Sequence, residues 1–263
     1  MKRAWFIVIC LLLIIPFAGI SQDVNVFDDD ENSKTFFGIN AGFSFPAGSY
    51  SSVNSGSTGF ALPGPGASAE GAIFFSKFFG AGLRLDYNRH FVADNKIVEI
   101  NTQSIPENAV YDVKSSGMYE VASLMTGLYT SMSINNWLQI NGKALYGPHL
   151  ARIPEFEISY YREYEFNGQD IVDDWTELHE AAGDWQFGYL VGFGVRLNPS
   201  RSWAFNISLD YAESYQEIEY ISNESGVIHD EIGTAYYGAG VTTGFFNQKF
   251  RYMLLTGGLS IFL

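Results

Sequence analysis

The sequence predicts an all-β fold, a transmembrane up-and-down antiparallel β-barrel of eight strands, on three observations. The first is a period-two alternation. In "DWQFGYLVGFGVRLNPSRSWAFNISLDY", residues 184–211, Trp185, Phe187, Tyr189, Val191, Phe193, Val195 and Leu197 fall on one side of an extended chain. Gln186, Gly188, Leu190, Gly192, Gly194 and Arg196 fall on the other. Side chains of a strand alternate between faces, so this is a strand signal and not a helical one. The second observation is a strict segregation of short and long connections between such segments. The third is an N-terminal export signature on a chain whose only cysteine is Cys10.

Eight segments carry the alternation: 35–45, 67–77, 80–91, 118–132, 137–149, 185–197, 203–213 and 250–263. Short links, "SKFFG", "SINN" and "NPSRS", join the second to the third, the fourth to the fifth and the sixth to the seventh. Long links follow the first (46–66), third (92–117), fifth (150–184) and seventh (214–249). An up-and-down barrel in an outer membrane has short turns on the periplasmic side and long loops outside; a soluble sandwich has no reason for this asymmetry. Residues 46–66 are dense in Gly, Ser and Pro, as loops are. Residues 153–184 read as an acidic loop, with Asp170, Asp173, Asp174 and Glu177 among its acids. The stretches 234–246 and 156–166 also have strand character. Counting both would make ten strands with long loops on both rims, so they are assigned to hairpins extended above the membrane.

"MKRAWFIVICLLLIIPFAGISQ" has a basic start, a short apolar run and small residues after Pro16, the pattern of a secretory signal peptide cleaved after Ser21. The domains are then a signal peptide (1–21), an acidic leader (22–34) containing Asp28, Asp29, Asp30 and Glu31, and the barrel (35–263). An exported chain without cysteine does not rely on disulfides. Formal charge is −14. That excludes nucleic acid as a partner, because phosphate contacts need clustered Lys and Arg.

A charged side chain on the lipid face near mid-membrane costs about 2–4 kcal/mol for Arg or Lys. The apolar face should therefore meet lipid: Phe187, Tyr189, Val191, Phe193 and Val195, then Phe205, Ile207 and Leu209. Trp185, Trp203 and Tyr211 fit interfacial girdles, and Val191 falls near the bilayer midplane. The other register places Glu70, Arg84, Asp86, Lys143, Arg196 and Asp210 in the lumen, three acids against three bases that a closed polar core would pair. The fourth strand, with Glu120, does not choose a face. The inward glycines 188, 192 and 194 thin the filling beside the sixth strand.

The signal peptide, the alternating strands and the ending "MLLTGGLSIFL" resemble small bacterial outer-membrane β-barrels of the OmpA/OmpX kind, also labelled porin-family proteins. The resemblance covers nearly all of 35–263 and is architectural. It implies an integral outer-membrane location among lipid and lipopolysaccharide. It also implies handling by the barrel assembly machinery, which in that family reads a terminal aromatic; here Phe262 lies one place before the end. The expected function is a structural or surface-interaction role with a plugged polar lumen and an extracellular partner. A narrow diffusion pore is the alternative, ahead of an outer-membrane lipid hydrolase or a soluble lipocalin-like binder. No enzyme and no cofactor is expected: His90, His149, His179 and His229 read as solvated rim residues without a serine motif. Asp170, Asp173, Asp174 and Glu177 offer hard oxygen ligands suited to Ca²⁺. They lack EF-hand spacing, and a solvated acidic loop is the plainer reading.

Overall fold

The computed structural model describes residues 35–53, 59–102, 108–198, 200, 202–229 and 234–263. The assigned signal peptide and acidic leader lie outside the described residues. The strands are β1 (Phe36–Pro46), β2 (Ala61–Leu62), β3 (Gly64–Phe74), β4 (Phe79–Val92), β5 (Ala109–Ser116), β6 (Tyr119–Asn135) and β7 (Leu138–Ile153). They continue as β8 (Glu155–Phe166), β9 (Gln169–His179), β10 (Ala182–Leu197), β11 (Trp203–His229) and β12 (Ala235–Phe262); a 3-10 turn (Gly48–Tyr50) follows β1, and an α-helix, α1 (Asp94–Thr102), precedes β5.

Eight of these close a barrel. The antiparallel order runs β10–β7–β6–β4–β3–β1–β12–β11, and β11 pairs back onto β10. Closure leaves no free edge within this ring, as a spanning sheet requires. The eight are the segments expected from the alternation, and their short links lie together at one end, with the start of β1 and the end of β12.

The long links are more regular than the sequence reading made them. β11 and β12 pair without a break from Trp203↔Ile261 to His229↔Ala235. Their far halves carry three further strands, in the order β12–β11–β9–β8–β5. Residues 234–246 and 156–166 therefore do extend hairpins beyond the barrel. The rest of the acidic loop is strand too: β8 and β9 form a hairpin from Phe156↔His179 to Phe166↔Gln169. The turn is made by Asn167 and Gly168, both at positive φ. β9 escapes an apolar template because acids fall on both its faces, Asp173 and Glu177 on one and Asp170 and Asp174 on the other, and water accepts them on either side.

The outer wall of the barrel is apolar. Phe187, Tyr189, Val191 and Phe193 on β10 and Phe205, Ile207 and Leu209 on β11 are 42–62% exposed, and Val195 is partly so. Ile39, Phe43, Leu85, Leu128, Leu255 and Leu259 continue the wall on the other strands. Soluble monomers rarely expose apolar patches beyond a few hundred Å², so a belt around the circumference fits a lipid-facing wall. At the short-turn end it finishes on Trp203, whose ring meets Phe205 edge-on at 4.9 Å. At the other end outward charges appear. Arg251 is paired with Glu213 at 2.8 Å, and Tyr211 and Tyr189 donate to the same carboxylate at 2.7 and 3.2 Å. Glu120 faces outward as well, held by Arg89 and Arg152 at 3.1 and 3.5 Å and by the Tyr87 hydroxyl at 2.8 Å. This settles the fourth strand: Glu120 avoids the lumen because two arginines on neighbouring strands meet it outside.

From Trp203 to Glu213 is ten residue steps, about 23 Å of height at 3.3 Å per residue and a tilt near 45°. That matches an apolar band of about 25 Å. Val191 pairs with Tyr211, two residues below Glu213. It therefore lies in the upper half of the band and not at its middle, which falls nearer Phe193 and Ile207. The depth was misjudged because strand length alone does not show how far a strand continues above the membrane.

Candidate functional site

The lumen is where the chain concentrates its charge. An eight-strand interior is just wide enough for side chains to fill it. Glu70 on β3 lies directly across from Arg84 on β4, and Asp86 is the next inward residue on β4. Lys143 on β7 and Asp210 on β11 both pair with Gly192 on β10, one from each side. Because Gly192 has no side chain, these two charges meet across it, with Lys143 Nζ 3.2 Å from Asp210 Oδ1. A Cβ at Gly192 would run into the Asp210 carboxylate and lie 2.7 Å from Lys143 Cε. At 188 and 192 the inward glycines therefore do not thin the filling, whereas Gly194 does line a small cavity of about 30 Å³. Gly192 admits longer side chains from the neighbouring strands, and Gly188 does the same for His149, whose Nε2 lies 2.7 Å from where a Cβ would be.

Arg84 is the centre of the network and is fully buried. Its guanidinium lies 3.1 Å from Glu70, 2.7 Å from Asp86 and 3.0 Å from Asp210, three carboxylates from three strands. Lys143 adds a second contact to Glu70 at 2.9 Å. Neutral donors complete the carboxylates: Tyr129 and Asn40 donate to Glu70, Ser123 to Asp86 and Ser208 to Asp210, at 3.2–3.3 Å. At the same level Met125, Leu145, Leu190 and Leu254 are buried and apolar. The ions are thus wedged among hydrocarbon, where an unpaired charge is costly and a paired, hydrogen-bonded one is tolerated.

The expected six-residue network is not what the structure builds. Five members meet; Arg196 stands apart. Its Nε donates to Asn206 Oδ1 at 3.1 Å, and its guanidinium stacks 3.9 Å from the Phe36 ring centroid. Three acids are therefore balanced by two bases. Arg196 sits at the short-turn end of its strand, too low to reach Asp86 or Asp210.

Above the network the lumen is aromatic. Tyr50 descends from the loop after β1 and is fully buried against His90, Tyr119 and Phe250, at ring separations of 5.2, 5.4 and 4.7 Å. Val121 and Tyr252 fill the same layer. The expected polar lumen thus covers only part of the interior. Two of the four histidines are likewise not solvated at the rim. His90 and His149 are both fully buried, and neither ring nitrogen of His149 has a hydrogen-bond partner. His90 Nε2 lies 2.7 Å from Ser44 Oγ, and its Nδ1 lies 3.0 Å from the Tyr50 hydroxyl. Ser44 and His90 are far apart in sequence, so nothing local signals this contact. The pair has a nucleophile–base distance, yet Ser44, His90 and Tyr50 are all fully buried and Tyr50 covers it.

Of the proposed membrane-interface aromatics, Trp203 closes the band at the short-turn end and Tyr211 marks its upper edge, while Trp185 lies exposed further along β10. The four acids weighed for Ca²⁺ are not gathered. Asp173 is bound by Arg162 and His229 at 2.9 and 2.8 Å, and Glu177 by Ser222 and His179, each at 2.8 Å. Asp170 and Asp174 occupy the alternate register of β9. No group of three or more metal-ligating side chains exists among the described residues.

A closed eight-stranded antiparallel barrel with an apolar outer wall and ions sealed inside belongs to the class of transmembrane β-barrels. Solved structures with a similar layout include Ail, the attachment invasion locus protein of Yersinia pestis, and Neisserial surface protein A. Ail shares 11% identity over 87% of this chain and 99% of its own, with a TM-score of 0.35. For Neisserial surface protein A the values are 11%, 88%, 98% and 0.35. A major outer membrane protein from Thermus thermophilus is similar at 11% identity over 87% of this chain and 99% of its own, with a TM-score of 0.42. No family model and no curated protein matches the chain.

Proposed function

We propose that the chain is an integral outer-membrane protein with a plugged lumen, acting at the cell surface in a structural or surface-interaction role and not as a pore or an enzyme. The observation that carries this is the position of Arg84. It bridges carboxylates from β3, β4 and β11 across the interior, so any aqueous path must break three ion pairs at once. Export by the N-terminal signal, assembly by the barrel machinery and contact with lipopolysaccharide belong to the same reading.

The surface role is supported by the sheet beyond the barrel. Along β12, Tyr237, Val241 and Phe245 are 80%, 70% and 60% exposed, above the outward charges that end the membrane band. Large apolar groups held out in water on a paired sheet suit an extracellular partner. Conductance separates this reading from a diffusion pore. Pure protein in a planar bilayer should give a flat trace at neutral pH. Stable, reproducible current steps would mean that the Arg84 network opens, and the function would move to diffusion.

A further inference from the structure

Arg89, Glu120 and Arg152 form a base–acid–base row on the outer wall. Register sets them side by side on three adjacent strands, Arg89 across from Glu120 on β4 and β6, and Glu120 across from Arg152 on β6 and β7. The outward positions below them are uncharged on all three strands and end with Tyr87, Ala122 and Leu150. The row is therefore the first charge above the hydrocarbon on this side, at the level of lipid head groups. Glu120 is the one carboxylate within ion-pair distance of either arginine among the described residues. One acid against two bases leaves a charge of +1. The side chains of Arg89 and Arg152 are 42% and 53% exposed. Arg89 Nε is screened from water and makes no hydrogen bond among the described residues. Across the barrel, Arg251 and Glu213 balance one to one.

One arginine suffices to balance Glu120, so the second is left to face what lies outside the wall. We propose that Arg89 and Arg152 together hold the anionic phosphate of an outer-leaflet lipid. Each guanidinium presents a planar fork of donors that matches two phosphate oxygens, and such charge-assisted pairs are the strong ones. A phosphate has enough oxygens to meet forks from two strands, and Glu120 keeps the two guanidiniums close together. A lipid is favoured over a free phosphate ion on two grounds. The chain's formal charge of −14 repels dissolved anions. The apolar wall beneath, with Leu85 and Tyr146 exposed on β4 and β7, seats the acyl chains that bring the phosphate to this height. Basic clusters beside membrane-spanning segments recognise anionic head groups by the same electrostatics. The site rests on the outer-membrane reading above and specifies where on the wall the lipid is held.

The test counts bound lipids by native mass spectrometry on protein refolded in an uncharged maltoside detergent. Phosphatidic acid and phosphatidylcholine of equal chain length are offered together. The parent should carry one phosphatidic acid in preference to phosphatidylcholine. Arg89→Gln and Arg152→Gln should each lower that preference about fivefold, the effect of one arginine beside an anionic lipid. Arg251→Gln removes the same charge from the balanced pair and should change it much less. Equal effects of all three substitutions would mean general electrostatics and no site. A parent that carries both lipids alike would overturn the site and leave the membrane reading intact. A parent that stays in solution without detergent and carries no lipid would instead end the membrane reading. Sodium phosphate exchanged for chloride at constant ionic strength should leave the lipid bound. Its displacement would make the ligand a free phosphate ion and overturn the lipid.

Discussion

Replacing Arg84 by Met should destabilise the barrel more than any other single change in the lumen. The substitution keeps most of the volume but leaves Glu70, Asp86 and Asp210 facing one another with Lys143 as their only base. Removing one partner of a buried ion pair typically costs about 3–5 kcal/mol, because the other charge stays buried and uncompensated. Here three carboxylates each lose a partner and Asp86 loses its only cation, so the upper part of that range is expected. Urea unfolding from lipid vesicles should show it as a lowered midpoint. Adding Asp86→Asn to Arg84→Met should recover part of the loss, since one unpaired charge is then removed. A loss below about 1 kcal/mol, the range of solvent-exposed pairs, would mean that water reaches the carboxylates and that the lumen is wet.

Ile207→Arg should impair insertion by a comparable amount for a different reason. Ile207 is 54% exposed on the outer wall and pairs with Val195 and Gly257 near the middle of the apolar band. A cation on the lipid face costs about 2–4 kcal/mol at mid-membrane and about 0–1 near the interfaces. Val191→Arg, higher in the band, should therefore be milder than Ile207→Arg. Tyr237→Arg, beyond the membrane, should be nearly neutral. Folding yield into vesicles gives the order directly. Equal losses at 207 and 237 would remove lipid from the outer wall.

Much of this was legible in the residues. Alternation at 184–211 assigned both strands and both faces, because one face of each strand meets hydrocarbon and tolerates no charge. Link lengths supplied the closure and the strand number. The partners inside the lumen were less legible. That Lys143 and Asp210 meet over Gly192, while Arg196 meets neither, depends on register and stagger, which fix the level each inward residue occupies. The alternation specifies a face and not a height, so six inward charges looked like one network. Tyr50, His90 and His149 were hidden for another reason. A polar aromatic above the bilayer reads the same whether it faces water or fills the barrel, and only the fold of the loop after β1 decides. β9 was missed because acids fall on both of its faces and leave no apolar period.

The central claim, that the apolar wall meets lipid and the charged face is sealed inside, is tested most directly by a spin-label scan along β11. The only cysteine is Cys10, so residues 205–210 can each be changed to Cys and labelled in protein refolded into vesicles. Oxygen partitions into lipid and a chelated nickel ion stays in water. Labels at positions 205, 207 and 209 should be open to oxygen and closed to nickel; those at 206, 208 and 210 should be immobile and closed to both. Nickel reaching 205, 207 and 209 would put water on the apolar wall and contradict a membrane barrel.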